Sequence, residues 1–241
     1  MKEGFFAFVL IAVLFLSGQV RDRDPAGSAQ TVPSFRPSDK DIARPAGFPE
    51  IGKWMISPDL SWAHWMGEMA DGKAIREPIN VIIIDPFARS ADAALRRLVA
   101  ACKTAGFERR LGHSSGYWGW LGGRLFPQYP TGGGHAFSDE PFEFNNNHGR
   151  VFGPLAFRGR YYFIAALSRE KAAPASHEKH EFVSFDQARD RFAQALVRKA
   201  GWRIVAFVGL GNALLDDPQV GTCDHDGVAV ALSPTPSFSA E

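Results

Sequence analysis

The sequence predicts an α+β domain, a two-layer mixed sheet packed by two main helices, preceded by an N-terminal signal or anchor segment and a tether. Three observations carry that class. Short β-branched runs recur, "INVIII" at 79–84, "RIVAFVGL" at 203–210 and "GVAVAL" at 227–232. Between Ser90 and Gly106, and again between Ser184 and Gly201, apolar residues repeat instead at helical spacing. Hydrophobic residues make up 45% of the chain and charged ones 22%, which suits a sizeable core and not a disordered chain.

The chain opens on Met1-Lys2-Glu3 and an apolar run, FFAFVLIAVLFL, at 5–16. That length suits the ~7–15 residues of a signal-peptide core and falls short of the ~20 that span a bilayer comfortably. Residues 1–18 are therefore read as a signal peptide or an N-terminal anchor. Both outcomes stay open, because Leu16-Ser17-Gly18 is not a clean small-x-small cleavage site. The chain is expected to be exported, either periplasmic or held at the outer face of the inner membrane. Membrane contact is expected only through this segment, if it is uncleaved. Residues 19–50, rich in Pro, Ser, Asp and Arg, read as a disordered tether. Residues 51–77 carry Trp54, Trp62 and Trp65 but no Lys/Arg-rich face, so they are expected to pack on the domain.

The domain proper is read as 78–232, with a disordered tail at 233–241. Pro78 and Asp85-Pro86 bound the first strand, whose unbroken apolar run implies burial on both faces. Ser90 caps the first helix, Asp92 favours its positive end, and Leu95, Leu98, Val99 and Cys102 form its stripe up to Gly106. Ser184 with Gln187 reads as a capping box for the second, whose stripe is Ala188, Phe192, Ala195 and Leu196 before Gly201. Both helices end Ala-Gly-aromatic. Residues 112–149 are rich in Gly and aromatics and poor in helix formers. "RYYFIAALSRE" at 160–170 is a strand, and "RGR" at 158–160 reads as a hairpin turn from a strand through 151–157.

Some chemistries are excluded early. With 27 basic against 26 acidic residues, no global basic surface exists for nucleic acid. Two cysteines cannot build a four-thiolate metal site. Cys102 and Cys223 form a possible disulfide, the alternative being two separate thiols. "GLGNALLDD" at 209–217 lacks the rest of a dinucleotide fingerprint. Ser114 and Ser115 beside His113 have no nucleophile motif around them. His177 and His180 stand at i, i+3, with His148 or His225 able to complete a metal site. Their flanks suggest a loop entering a strand, so no metal and no cofactor is expected. His225 between Asp224 and Asp226 reads first as an Asp-Gly turn before the last strand.

The run "NNNHGRVFGP" at 145–154 holds a base, His148, and an anion binder, Arg150, and reads first as a loop running into a strand. Together with "EPINVIII", a helix ending "AGF", "RYYFIAALSRE" and "HEFVSFDQARDRFAQAL", it resembles the LssY C-terminal domain, a bacterial envelope-associated family, over about 78–210. The resemblance implies an α+β domain of unassigned activity, with polar positions at His148, Arg150, His180, Arg189 and Asp190. The chain departs from that pattern in its longer Gly-rich middle and its HEKH segment. If the strands on either side of "RGR" pair, His148, Arg150 and His180 converge at one sheet edge as a site for an anionic group. The expected role is binding or scaffolding in the envelope, with an unknown envelope partner or an anionic small ligand. The alternative is a hydrolase of phosphate or acyl esters.

Overall fold

The computed structural model describes residues 32–173 and 180–236, with the backbone alone for 66–69. The signal or anchor segment, the tether as far as residue 31, His177 and the tail from 237 lie outside the described residues.

Two short strands, β1 (Ile42–Ala43) and β2 (Ile51–Gly52), precede the pair β3 (His64–Ala70) and β4 (Lys73–Arg76). Next come β5 (Val81–Asp85), α1 (Ala91–Ala105) and β6 (Glu108–Arg110). The middle of the chain supplies β7 (Trp118–Leu121), β8 (Arg124–Tyr129) and β9 (Ala136–Ser138). Two long strands follow, β10 (Asn146–Phe157) and β11 (Arg160–Ala172), then β12 (His180–Ser184) and α2 (Phe185–Ala200). The order ends with β13 (Trp202–Gly209), β14 (Val220–Gly221) and β15 (Val228–Pro234).

The fold is α+β: a mostly β chain whose mixed, curled sheet carries two helices. β11 lies between β10 and β5, antiparallel to both, and β5 runs parallel to β15. The alternation of side chains along β5 explains its unbroken apolar run. Val81 and Ile83 enter a core with Leu98, Phe107, Phe192 and Trp202, on the helix side. Ile82 and Ile84 enter a second core with Phe152, Ile164 and Ala231, on the other.

Two layers do not describe this arrangement. Beyond β10 the sheet continues through β8, β7, β2 and β1, and Phe126, Leu121 and Ile51 from those strands close the second core. The sheet thus covers its own far face by curling, which also hides apolar surface that two helices cannot reach.

The helices begin and end as their sequences imply. Ser90 Oγ accepts from Ala93 N and Ser184 Oγ from Gln187 N, while Gly106 and Gly201 close them at φ 91° and 68°. The aromatic residue after each glycine, Phe107 and Trp202, drops into the helix-side core. The shared ending is not a repeated unit, because β6 pairs β9 whereas β13 pairs β15. Between β10 and β11 the turn is Arg158-Gly159, both at positive φ, with Phe157 opposite Arg160.

Four expectations are corrected. The tether is ordered well before residue 50: β1 pairs β2, and Asp41 accepts from the buried Trp54 Nε1 at 3.0 Å. Its polar composition concealed pairing with a strand that lies outside it. The tail is ordered to 236, with Ser233 and Pro234 opposite Arg203 and Trp202 on β13. "NNHGR" is strand and not loop, because β9 and β11 satisfy its backbone on both sides. Finally, Cys102 and Cys223 are not bridged: Cys102 is sealed in the helix-side core, and Cys223 is exposed. Among the described residues no helix is long and apolar enough to cross a membrane.

The curled strands are seated by close approaches, of which Gly119 makes one. A Cβ on Gly119 of β7 would stand 2.4 Å from the ring of the fully buried Phe152. Gly119→Ala is therefore expected to destabilise the domain by about 1–3 kcal/mol, as overpacking does. Urea melts check this, and an unchanged midpoint would contradict the close seating of the curled layer.

Candidate functional site

The register of the β10–β11 hairpin builds the site. Asn146, His148 and Arg150 alternate along β10 and so share one face. Opposite them on β11 stand Glu170, Ser168 and Ala166 in turn. Asn146 Nδ2 donates to Glu170 Oε1 at 2.6 Å, and its Oδ1 lies 3.0 Å from His148 Nδ1. His148 Nδ1 is itself 3.7 Å from Glu170 Oε1. β12 adds His180 opposite Ala172, one step along the same face, which brings His180 Nδ1 to 3.3 Å from Glu170 Oε1. The small Ala166 leaves room for Arg150.

Two segments from the Gly-rich middle cover this face. His113, held by its backbone N–H on Gly134 O, stacks on His148 with centroids 4.4 Å apart. Phe142 lies over His180 at 4.1 Å and edge-on to His113 at 5.6 Å. Ser114 O accepts from Arg150 Nε and Nη2, and Tyr117 offers its ring face to the guanidinium at 4.8 Å. Arg150 is only 3% exposed, and no carboxylate among the described residues forms a salt bridge with it.

Burial dominates the electrostatics. It pushes Glu170 up to about 7, against the lowering pull of Asn146 and Arg150. Burial also takes His113 down to about 3, helped by the charge of Arg150, and holds His148 well below its ordinary range. His180 is lowered by burial too. The histidines are therefore neutral at physiological pH, with lone pairs to offer. Among the described residues, buried His113 Nε2 has no hydrogen-bond partner, and His180 Nδ1 has none of proper geometry despite its closeness to Glu170.

Of the five residues singled out from sequence, His148, Arg150 and His180 converge on this face. Arg189 and Asp190 do not. They belong to a separate cluster, where Arg189 Nη1 donates to Asp226 Oδ1 at 2.7 Å and Val228 O at 2.9 Å, and Nε to Asp190. This guanidinium ties α2 to the Asp-Gly turn ahead of β15. His225 lies in the same cluster, between Asp186 Oδ1 at 3.2 Å and Asn212 Oδ1 at 3.0 Å. Asn212 Oδ1 accepts from His225 Nε2, so the contact between Nδ1 and Asp186 takes a second proton; burial pushes His225 down and Asp186 up. Asp224 does not face the imidazole; it accepts from Ser184 Oγ and Phe185 N at the start of α2. Asp186, His225 and Asp226 stand close enough to hold a cation, but Arg189 already supplies one there.

Glu170, Asn146, His113 and Glu77, whose carboxyl feels the charge of Arg150, are the groups that sequence reasoning did not place. The first two lie in polar ends of long strands, Asn146 to Arg150 and Ser168 to Lys171, where no alternation in the sequence marks them out. His113 and Glu77 carried no signal either, since loops deliver them. No family model, curated protein or solved structure matches this chain.

Glu77, just before β5, is 5% exposed, and burial raises its carboxyl against the lowering effect of Arg150. The unfolded carboxyl ionises near 4.5 while the folded one keeps its proton higher, so Glu77 costs stability as pH rises above 4.5. Glu77→Gln should raise the melting temperature at pH 8, by a margin that shrinks as pH falls towards 4.5. A margin independent of pH would contradict this.

Proposed function

We propose that this chain is an exported envelope domain, of the kind the LssY C-terminal resemblance implies, and that it binds an anionic small molecule at the Arg150 cluster. The observation that carries the reading is the buried guanidinium of Arg150, hydrogen-bonded among the described residues only to the neutral Ser114. A buried cation without a paired carboxylate is costly, and an oxyanion such as a phosphate is a group that a guanidinium suits. Nη1 makes no hydrogen bond among the described residues and is the atom such a ligand would take. The apolar run at 5–16 supports export.

The test is calorimetric titration with inorganic phosphate and a phosphomonoester. Arg150→Met is expected to weaken binding at least tenfold, about 1.4 kcal/mol or more, with an unchanged circular dichroism spectrum. Equal binding by the variant would overturn the reading. Export is checked by cell fractionation, which should find the chain outside the cytoplasm.

One observation favours a second reading, a hydrolase of phosphate or acyl esters. Glu170, raised to about 7 and beside His148, is poised for proton transfer near neutral pH. Turnover of phosphomonoester or acyl-ester substrates, lost in Glu170→Gln, would select it over simple binding.

A further inference from the structure

Three donor groups meet on the covered face of the hairpin from three separate parts of the chain. His113 comes from the loop between β6 and β7, His148 from β10 and Glu170 from β11. One ligand atom from each lies within 4.8 Å of the others. In a tetrahedral site with bonds of ~2.1 Å, such atoms stand about 3.4 Å apart, so small side-chain rotations close the geometry. We propose that His113, His148 and Glu170 bind one divalent first-row transition metal, zinc foremost, with His180 set against the carboxylate.

Proximity is not the only ground. His113 Nε2 is buried, and among the described residues no group hydrogen-bonds to it. A metal supplies the missing partner for an imidazole nitrogen that the fold has withdrawn from water. Around the donors stands the support that metal ligands need. The single side chain of Asn146 bonds Glu170 and approaches His148, holding two donors at once. Ser168 Oγ lies 3.4 Å from His148 Nε2, and stacking on His148 fixes the ring of His113. Two imidazoles with one carboxylate suit zinc, iron(II) or cobalt(II), and three protein ligands leave a coordination position for water or an oxyanion. The Asp186–His225–Asp226 group lacks this character, since Arg189 already neutralises its carboxylates.

The inference goes beyond the anion-binding reading and does not depend on it. The full chain, stripped with chelator and dialysed, is titrated with Zn2+ and separately with Co2+. Elemental analysis should then find about one metal per chain, Co2+ should give the visible absorption of a low-coordinate site, and the melting temperature should rise. Glu170→Gln and His113→Gln should each weaken Zn2+ binding at least tenfold. Circular dichroism identifies any variant that fails to fold, and the wild-type Co2+ spectrum decides the question without either variant. No retained metal in the wild type, or uptake unchanged in both folded variants, would overturn the proposal. Metal uptake without phosphate binding would retire the anion reading and leave the metal centre standing.

Discussion

A slip of one residue between β10 and β11 would turn His148 and Arg150 to the helix side and Val151 to the other, because successive side chains of a strand face opposite ways. Everything chemical about this protein depends on that register. The two-residue turn at Arg158-Gly159 starts it, and the apolar residues that must reach one core or the other hold it. A one-residue shift between Phe152 and Leu155 resets the pairing, and beyond it the ladder runs unbroken from Phe152–Ile164 to Asn146–Glu170. The polar cluster therefore sits at the end remote from the turn, aligned by the part of the ladder that follows the shift.

Putting charge there weakens folding. Arg150, Glu170, Glu77 and the histidines lie on the face that elsewhere forms the second apolar core. Well-packed hydrophobic residues in their places would be neutral or stabilising, whereas an isolated buried charge is not. The fold tolerates them by keeping the imidazoles neutral and by giving Arg150 the carbonyl of Ser114 and the ring of Tyr117. Such an arrangement is common where a site is built for something other than stability.

The second polar cluster shows the contrast. Around Arg189 each strong donor has its acceptor: Asp226, Val228 O, Asp190 and Asp186 surround one guanidinium, and His225 bridges Asp186 to Asn212. Asn212 in turn donates to Lys53 O and Ile79 O, which ties the approach to β5 to the turn before β15. A satisfied network of this sort joins elements. The one around Glu170 leaves ring nitrogens and a guanidinium end without partners among the described residues, and it is there that a ligand has something to add.

The sequence by itself determined the parts that local rules govern. Apolar period, Ser caps and Gly ends placed both helices to within a residue, and β-branched runs placed β5, β11, β13 and β15. It also singled out His148, Arg150 and His180, through their acid–base and anion-binding chemistry and the family resemblance. Only the tertiary structure decided what those residues meet. The asparagines of "NNNHGR" look like turn formers locally, and two neighbouring strands, β9 and β11, make them a strand instead. The tether near β1 is ordered for the same reason, by pairing with β2. His113 and Glu77 reach the cluster from loops whose course depends on the curl of the sheet over Phe152. Arg189 and Asp190 leave it because α2 turns them towards the Asp-Gly turn. Long-range pairing and curvature are properties of the whole chain, and no window of sequence contains them.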